Sequence, residues 1–398
     1  MEDAGHNPLM IRGSGRAPAV RLLGAALLAA GASMGIVFAT SAARPTGRAV
    51  AMTHVQGVWF LTPMLGFVQT NVPQRLLMTT DGGGLWVDVS PPALRLAKRY
   101  LASGLAGSAF QSRSRFWIAV SRSSEQGEVP VELLHTTDAG RSWIDDGSFP
   151  RAYGYAWIEF LTPSRGWLMV DNGAAMDQDP VTIYQTDSGG ALWTELAQSP
   201  IQTITNGTPG APSPRCDKTG ISFSSATSGW IAGDCTANAL LQHTGDGGRH
   251  WQVVPLACPD HRADCGGSTS PPQFFGAKDG ALSAELYSPH GFAIVIYTTV
   301  NAGKSWVAHA TPAHSQGAQV DILSGSTWLV GESTALYTTT DAGQHWSKQP
   351  TGIQYSPSIA ENAFDFLTPT DGWAITQAGQ LWHTTTGGRT WRTLRIRP

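Results

Sequence analysis

Carboxylates at regular spacing are the first candidates for acid–base chemistry, and this chain repeats one. The pattern Thr-x-Asp-x-Gly-x-x-Trp runs from Thr79 to Trp86 around Asp81 and from Thr136 to Trp143 around Asp138. It returns from Thr244 to Trp251 around Asp246 and from Thr339 to Trp346 around Asp341. Weaker copies end at Trp193, Trp306 and Trp391. The first of these has Asp187 one position early, so a distorted turn is expected there; Asn301 and Thr386 replace the aspartate in the others. Such insistent recurrence has the look of an active motif, but the local chemistry points to a turn. An Asp at the third position accepts backbone N–H bonds, the Gly at the fifth adopts positive φ, and the Trp opens the next strand with a large ring to bury.

A second polar set stands just before a recurring Phe. It comprises Glu159, Ser222, Gln273, Asp321 and Asp365. Glycoside hydrolysis needs two carboxylates roughly 5–10 Å apart, and a polar half-ring on channel-lining first strands could supply them. The competing role is a bond to a neighbouring strand, since buried carboxylates usually have structural partners. Asp171, Asp177 and Asp179 form an acidic cluster that loop solvation explains equally well. His135, His243 and His383 hold equivalent places before three boxes and read as repeat consensus. No phosphate loop, Ser/His/Asp motif or metal-ligand spacing stands out, so no catalytic residue, cofactor or metal is assigned.

The elements that position these residues repeat with them. Phe60, Phe160, Phe223, Phe274 and Phe366 each precede Gly followed by a second marker, as in Gly166-Trp167 and Gly372-Trp373. Phe110 with Trp117, and Ile322 with Trp328, hold those places in units two and six, the sixth one residue shorter. Short β-branched and aromatic runs bounded by Gly, Pro, Asp and Ser read as strands, four to a unit. Seven such units specify an all-β fold, a seven-bladed β-propeller of four-stranded antiparallel blades with an N-terminal hydrophobic helix. The blades span about 53–90, 106–150, 154–200, 217–257, 271–311, 317–350 and 360–396. Residues 91–103 are expected to form a helix, with Arg95, Lys98 and Arg99 on a solvated face.

The composition agrees with the pattern. Charged residues are 14%, while Gly (45), Pro (25) and Trp (15) are abundant, which suits short strands and tight turns. A net charge of -3 gives no reason to expect nucleic acid as a partner. The amino terminus differs from the body. Residues 1–21 form a basic region with Arg12, Arg16 and Arg21, followed by an uncharged run over 22–43. That run is a signal peptide or a signal anchor: its length matches a bilayer span, and Ser41-Ala42-Ala43 offers small residues for cleavage. Residues 44–52 link it to the body. Either way the body is exported, membrane-anchored by its N-terminus or secreted, with the basic end cytoplasmic. Asn206-Gly207-Thr208 is a glycosylation sequon.

Cys216, Cys235, Cys258 and Cys265 fit export, since none forms a Cys-x-x-Cys and disulfides suit an oxidising compartment. His261 leaves zinc as a second use. Cys216 precedes the first strand of blade four and Cys235 follows its second, at the same end of the blade. The pairs expected are Cys216–Cys235 and Cys258–Cys265.

The boxes resemble the bacterial-neuraminidase, or Asp-box, repeat across residues 53–396. Gly-Trp, then Thr-Thr-Asp-x-Gly, then Trp is most similar to the photosystem II assembly and stability factor family, which has homologues in non-photosynthetic bacteria. The resemblance implies structural boxes at the blade periphery and a non-enzymatic scaffold that binds a protein or peptide. Sialidases share the repeat but need an arginine cluster that begins near the first blade. Val55 to Leu61 contains no arginine, and Arg395-Ile396-Arg397-Pro398 has the wrong place and order. A secreted glycoside hydrolase or carbohydrate-binding propeller is the alternative.

Overall fold

The computed structural model describes residues 12–13, 54–71, 73–95, 104–121, 130–149, 155–173, 178–200, 209–259, 265–288, 291–355 and 362–396. The hydrophobic run 22–43, the linker 44–52, Asp177, His261 and the sequon at Asn206 all lie outside these residues. Among the described residues no helix is long and apolar enough to cross a membrane.

Each repeat folds into antiparallel strands. Blade three shows the pattern, with Ala156–Phe160, Gly166–Asp171, Val181–Thr186 and Thr194–Gln198 paired in sequence order. Blades one, six and seven are built the same way from contiguous stretches, beginning at Val55–Phe60, Gln319–Ile322 and Phe364–Phe366. Blade two begins at Gly104, two residues before its expected start, and the backbone of Arg12–Gly13 pairs with the free edge of its first strand. The helix is confined, among the described residues, to Pro92–Arg95, with Leu94 buried.

Blades four and five depart from separate four-stranded sheets. They are joined into one nine-stranded sheet, because Gly267–Thr269 pairs both with Asp234–Cys235 of blade four and with Ala284–Leu286 of blade five. Blade five therefore starts at Gly267, earlier than the expected residue 271. Pro271 and Pro272 split its first strand into Gly267–Thr269 and Gln273–Phe274, since proline has no N–H to give a ladder.

Alternating strand directions sort the connections onto two faces. The first-to-second turns span five residues in all seven blades, and the box connections span seven residues in all seven. The two kinds of turn meet: the N–H at the fourth box position donates to the first turn in every blade, as with Gly189 to Ser164 O at 2.7 Å and Gly387 to Thr370 O at 2.9 Å. The opposite face carries second-to-third connections of unequal length and all the links between blades.

The ring closes without exchanging a strand. The Asp365 carboxylate accepts from the Phe60 N–H at 2.5 Å. Val58 N–H donates to Asn362 O, and the Asn362 amide donates to Val58 O. The rings of Phe60 and Trp373 stack 3.6 Å apart across the same seam.

Candidate functional site

Between blades the repeats bury a layered set of rings. The second-strand aromatic of one blade stacks on the marker Phe of the next: Trp117 on Phe160, Trp167 on Phe223 and Trp373 on Phe60, each at 3.6 Å. The marker Phe then meets its own box Trp edge-on, as Phe160 does Trp193 and Phe223 does Trp251. Such geometry adds about 0.5–1.5 kcal/mol per pair beyond area burial. It also explains the Gly that opens the second strand in blades one, three, four, five and seven, a place held by Phe116 in blade two and Trp328 in blade six. A Cβ on Gly66 or Gly166 would sit 2.6 Å from the ring of Phe60 or Phe160.

Blade six inverts this arrangement and corrects its expected register. Ile322 pairs with Trp328 as Phe366 pairs with Gly372, and its turn has the common length. Trp328 thus occupies the glycine position, and its ring fills the room that a marker Phe would take.

The boxes form one hydrogen-bond module. In box two the Thr136 hydroxyl donates to Asp138, accepts the Gly140 N–H at 2.9 Å, and Asp138 accepts the Ser142 N–H at 2.9 Å. Boxes one, four and six repeat it around Asp81, Asp246 and Asp341. Trp86 and Trp251 are fully buried, and Trp143 and Trp346 half-buried. These bonds favour the ionised form and hold Asp138, Asp246 and Asp341 down to about 2. The third box is not distorted, contrary to expectation. Ser188 takes the aspartate place and accepts the Leu192 N–H at 2.9 Å, while Asp187 pairs outward with Arg165. Thr386 and Asn301 substitute in the same way. A hydroxyl or amide oxygen therefore suffices for the turn.

Of the five channel-facing candidates, three are spent on the ring. Asp365 bonds blade one, as above. Asp321 accepts the Phe366 N–H of blade seven at 2.5 Å, and the Ser222 hydroxyl donates to Pro272 O of blade five at 2.8 Å. Each ties its blade to the next, the neighbouring-strand role that the sequence offered beside a carboxylate pair. Gln273 is exposed. Glu159 is half-buried, and burial pushes its carboxyl up to about 8.

Asp171 and Asp179 are buried, at 6% and 4% exposure, so loop solvation does not explain them. They flank Lys218, itself 3% exposed, whose Nζ donates to Asp179 O, Cys216 O and Arg215 O at 2.7, 2.8 and 3.1 Å. Asp179 also accepts the Lys218 N–H at 2.8 Å. Burial, and then the neighbouring Asp179, raises Asp171 to about 8; burial lowers Lys218 to about 8. The cluster fastens a loop of blade three to the first strand of blade four beside the Cys216–Cys235 disulfide. Cys258–Cys265 closes a loop in the next link. Among the described residues no three ligands converge on a metal position.

Two further pairs were not foreseen. His135 bonds Asp146 at 2.7 Å under Trp117, with burial raising the aspartate. A bulge at Leu133/Leu134 turns Asp146 inward; Asp145-Asp146-Gly147, with Gly147 at φ 117°, was its available signal. His383 bonds Asp371 at 2.6 Å and receives Arg392, and burial lowers it. Among the described residues no nucleophile completes either pair, and both histidines stack beneath a tryptophan, Trp117 and Trp373.

Residues 321–398 match the family of the photosynthesis system II assembly factor YCF48. A structure of YCF48 bound to D1 peptide superposes with a TM-score of 0.55 at 18% identity, over 84% of this chain and 94% of that one. The chain is an Asp-box β-propeller. YCF48 from Cyanidioschyzon merolae gives 0.50 at 14% identity, over 84% and 94%. Structures of prolyl endopeptidases give 0.52 at 11%, over 86% of this chain but 49% of theirs. At these identities the structural likenesses speak to the fold. No curated protein matches the sequence.

Proposed function

We propose that the protein is an exported, non-enzymatic propeller that binds a protein or peptide as an assembly or scaffold factor, tethered through residues 22–43 when these are not cleaved. The observation that carries this reading is the match of residues 321–398 to an assembly-factor family, one of whose members has been seen with a peptide bound. The use of Asp321 and Asp365 between blades supports it, because a hydrolase would need such carboxylates free to face each other across substrate. A photosynthetic role is not part of the reading.

The test is recovery of the full-length chain from its own membranes under mild crosslinking, followed by binding of synthetic segments of the enriched partner. A specific partner whose segments bind the purified chain is expected. Fractionation of the chain with the cytosol, or glycan turnover without partner binding, would overturn the reading.

A further inference from the structure

The buried cluster at the seam of blades three and four surrounds one peptide bond with reactive groups. Asp179 precedes Pro180, so the bond between them is a tertiary amide. The main-chain oxygen of Asp179 accepts from Lys218 Nζ at 2.7 Å, and its carboxylate Oδ2 accepts from the Lys218 N–H at 2.8 Å. A single residue thus holds both the carbonyl and the carboxylate of Asp179. The other carboxylate oxygen, Oδ1, is buried and receives no backbone, amine or hydroxyl donor among the described residues. The Asp171 carboxyl hydrogen-bonds this carboxylate, and Asp171 stands across from Val181, the residue after Pro180. The Asn172 N–H fixes the proline by donating to its carbonyl at 2.8 Å.

Together these groups make the parts of an acyl-transfer site. Lys218 Nζ is a donor already placed on the oxygen where charge would develop. Oδ1 is a nucleophile within reach of the carbonyl of its own residue. Burial, and then the neighbouring Asp179, keeps Asp171 protonated at neutral pH, so it can give a proton to the leaving nitrogen. Among the described residues the charges acting on the two aspartates are Lys218 and, through Lys218, Asp217. Arg215 and Cys216 contribute main-chain oxygens to Nζ.

We propose that the chain cuts itself once, between Asp179 and Pro180. Asp179 Oδ1 bonds to the carbonyl carbon of its own residue and closes a cyclic anhydride. The bond from that carbon to Pro180 N breaks, and the nitrogen takes the proton that Asp171 carried. Water then opens the anhydride, leaving Asp179 as a carboxyl terminus and Pro180 as an amino terminus. The two pieces stay in one ring, because Gly166–Asp171 remains paired with Val181–Thr186 on either side of the cut. Neither disulfide spans it. The cut concerns the chain itself and stands apart from partner binding.

The experiment is incubation of the purified full-length chain at pH 7, read by denaturing electrophoresis without reductant and by mass spectrometry of the new termini. Two pieces are expected, one ending at Asp179 and one beginning at Pro180, which run as one particle in native gel filtration. Added hydroxylamine should be captured at Asp179 as a hydroxamate. The rate should fall as pH rises through about 8, where Asp171 loses its proton and Lys218 its charge. Lys218→Met and Asp171→Asn should each slow the cut about a hundredfold, as loss of an oxyanion donor or a general acid does. Pro180→Ala keeps the hydrogen bonds of the cluster and the Tm of the parent, and should slow the cut through its poorer leaving nitrogen. Ordinary acid hydrolysis of an aspartyl–prolyl bond rises toward low pH and survives unfolding. A chain that stays whole, cleavage at another bond, equal cleavage in urea, or a folded Asp171→Asn or Pro180→Ala chain cut as fast as the parent would each overturn the proposal.

Discussion

The two faces of the ring differ in what their connections must do. On the box face every blade uses turns of five and seven residues, locked by the same Thr, oxygen and Gly bonds. On the opposite face the links vary, and there the chain spends its disulfides, its buried Asp171–Asp179–Lys218 cluster and the strand that fuses blades four and five. The lesson is a division of labour. Repetition fixes the ring, and specificity is left to segments that the repeat does not constrain.

That comparison is open to attack at three strengths. Phe223→Ala strips the ring between Trp167 and Trp251 and should cost about 3–5 kcal/mol, as large-to-small core changes do. Denaturant unfolding measures it, and a loss under 1 kcal/mol would deny the box-side layers their structural weight.

Asp171→Asn tests the other face through pH. The raised Asp171 favours folding at low pH, so its contribution is lost as pH climbs from about 4 to about 8. Lys218 is lowered, so its penalty is present below about 8 and relieved as pH approaches 10.5. Stability should therefore dip near pH 8. One proton gives a slope of at most about 1.4 kcal/mol per pH unit. The variant should flatten the acidic side of the dip and keep the alkaline side. An unchanged profile would show that the cluster is not what couples this face to pH.

Asp138→Ser copies the third box into the second and should have the smallest effect. At neutral pH it leaves the fold intact with a small loss, because the low aspartate contributes stability that is fully present above pH 3.8 and fades toward pH 2, where the variant and the parent should converge. A large loss at pH 7 would mean that the boxes are not interchangeable. Thermal unfolding across pH distinguishes the outcomes.

The ring was legible because its constraints are local. Spacing between Phe, Gly, Asp and Trp reports turns and strands directly, so the blade number and the box role could be read. Glu159, Asp321 and Asp365 could be placed at equivalent positions, but which oxygen meets a neighbouring N–H depends on blade-to-blade distance. Lys218 was missed for the same reason: its three acceptors come from residues 179, 215 and 216, and only the folded connection brings them together. The sixth register slipped because Trp328 was matched by type, whereas the structure matches by volume.

The seam at Phe60 and Asp365 has one more consequence. Apart from the added pair Arg12–Gly13, every blade comes from one contiguous stretch, so the circle is a row of locally folding units bent until its ends touch. Its ends meet in the Phe60–Asp365 hydrogen bond, 305 positions apart, and in a core shared by Val55, Val58, Phe60 and Trp86 with Trp373, Ile375 and Leu394. Loop closure makes such a contact entropically late. The molecule can be nearly built before it is a ring, and the place where it first reopens is written into its two ends.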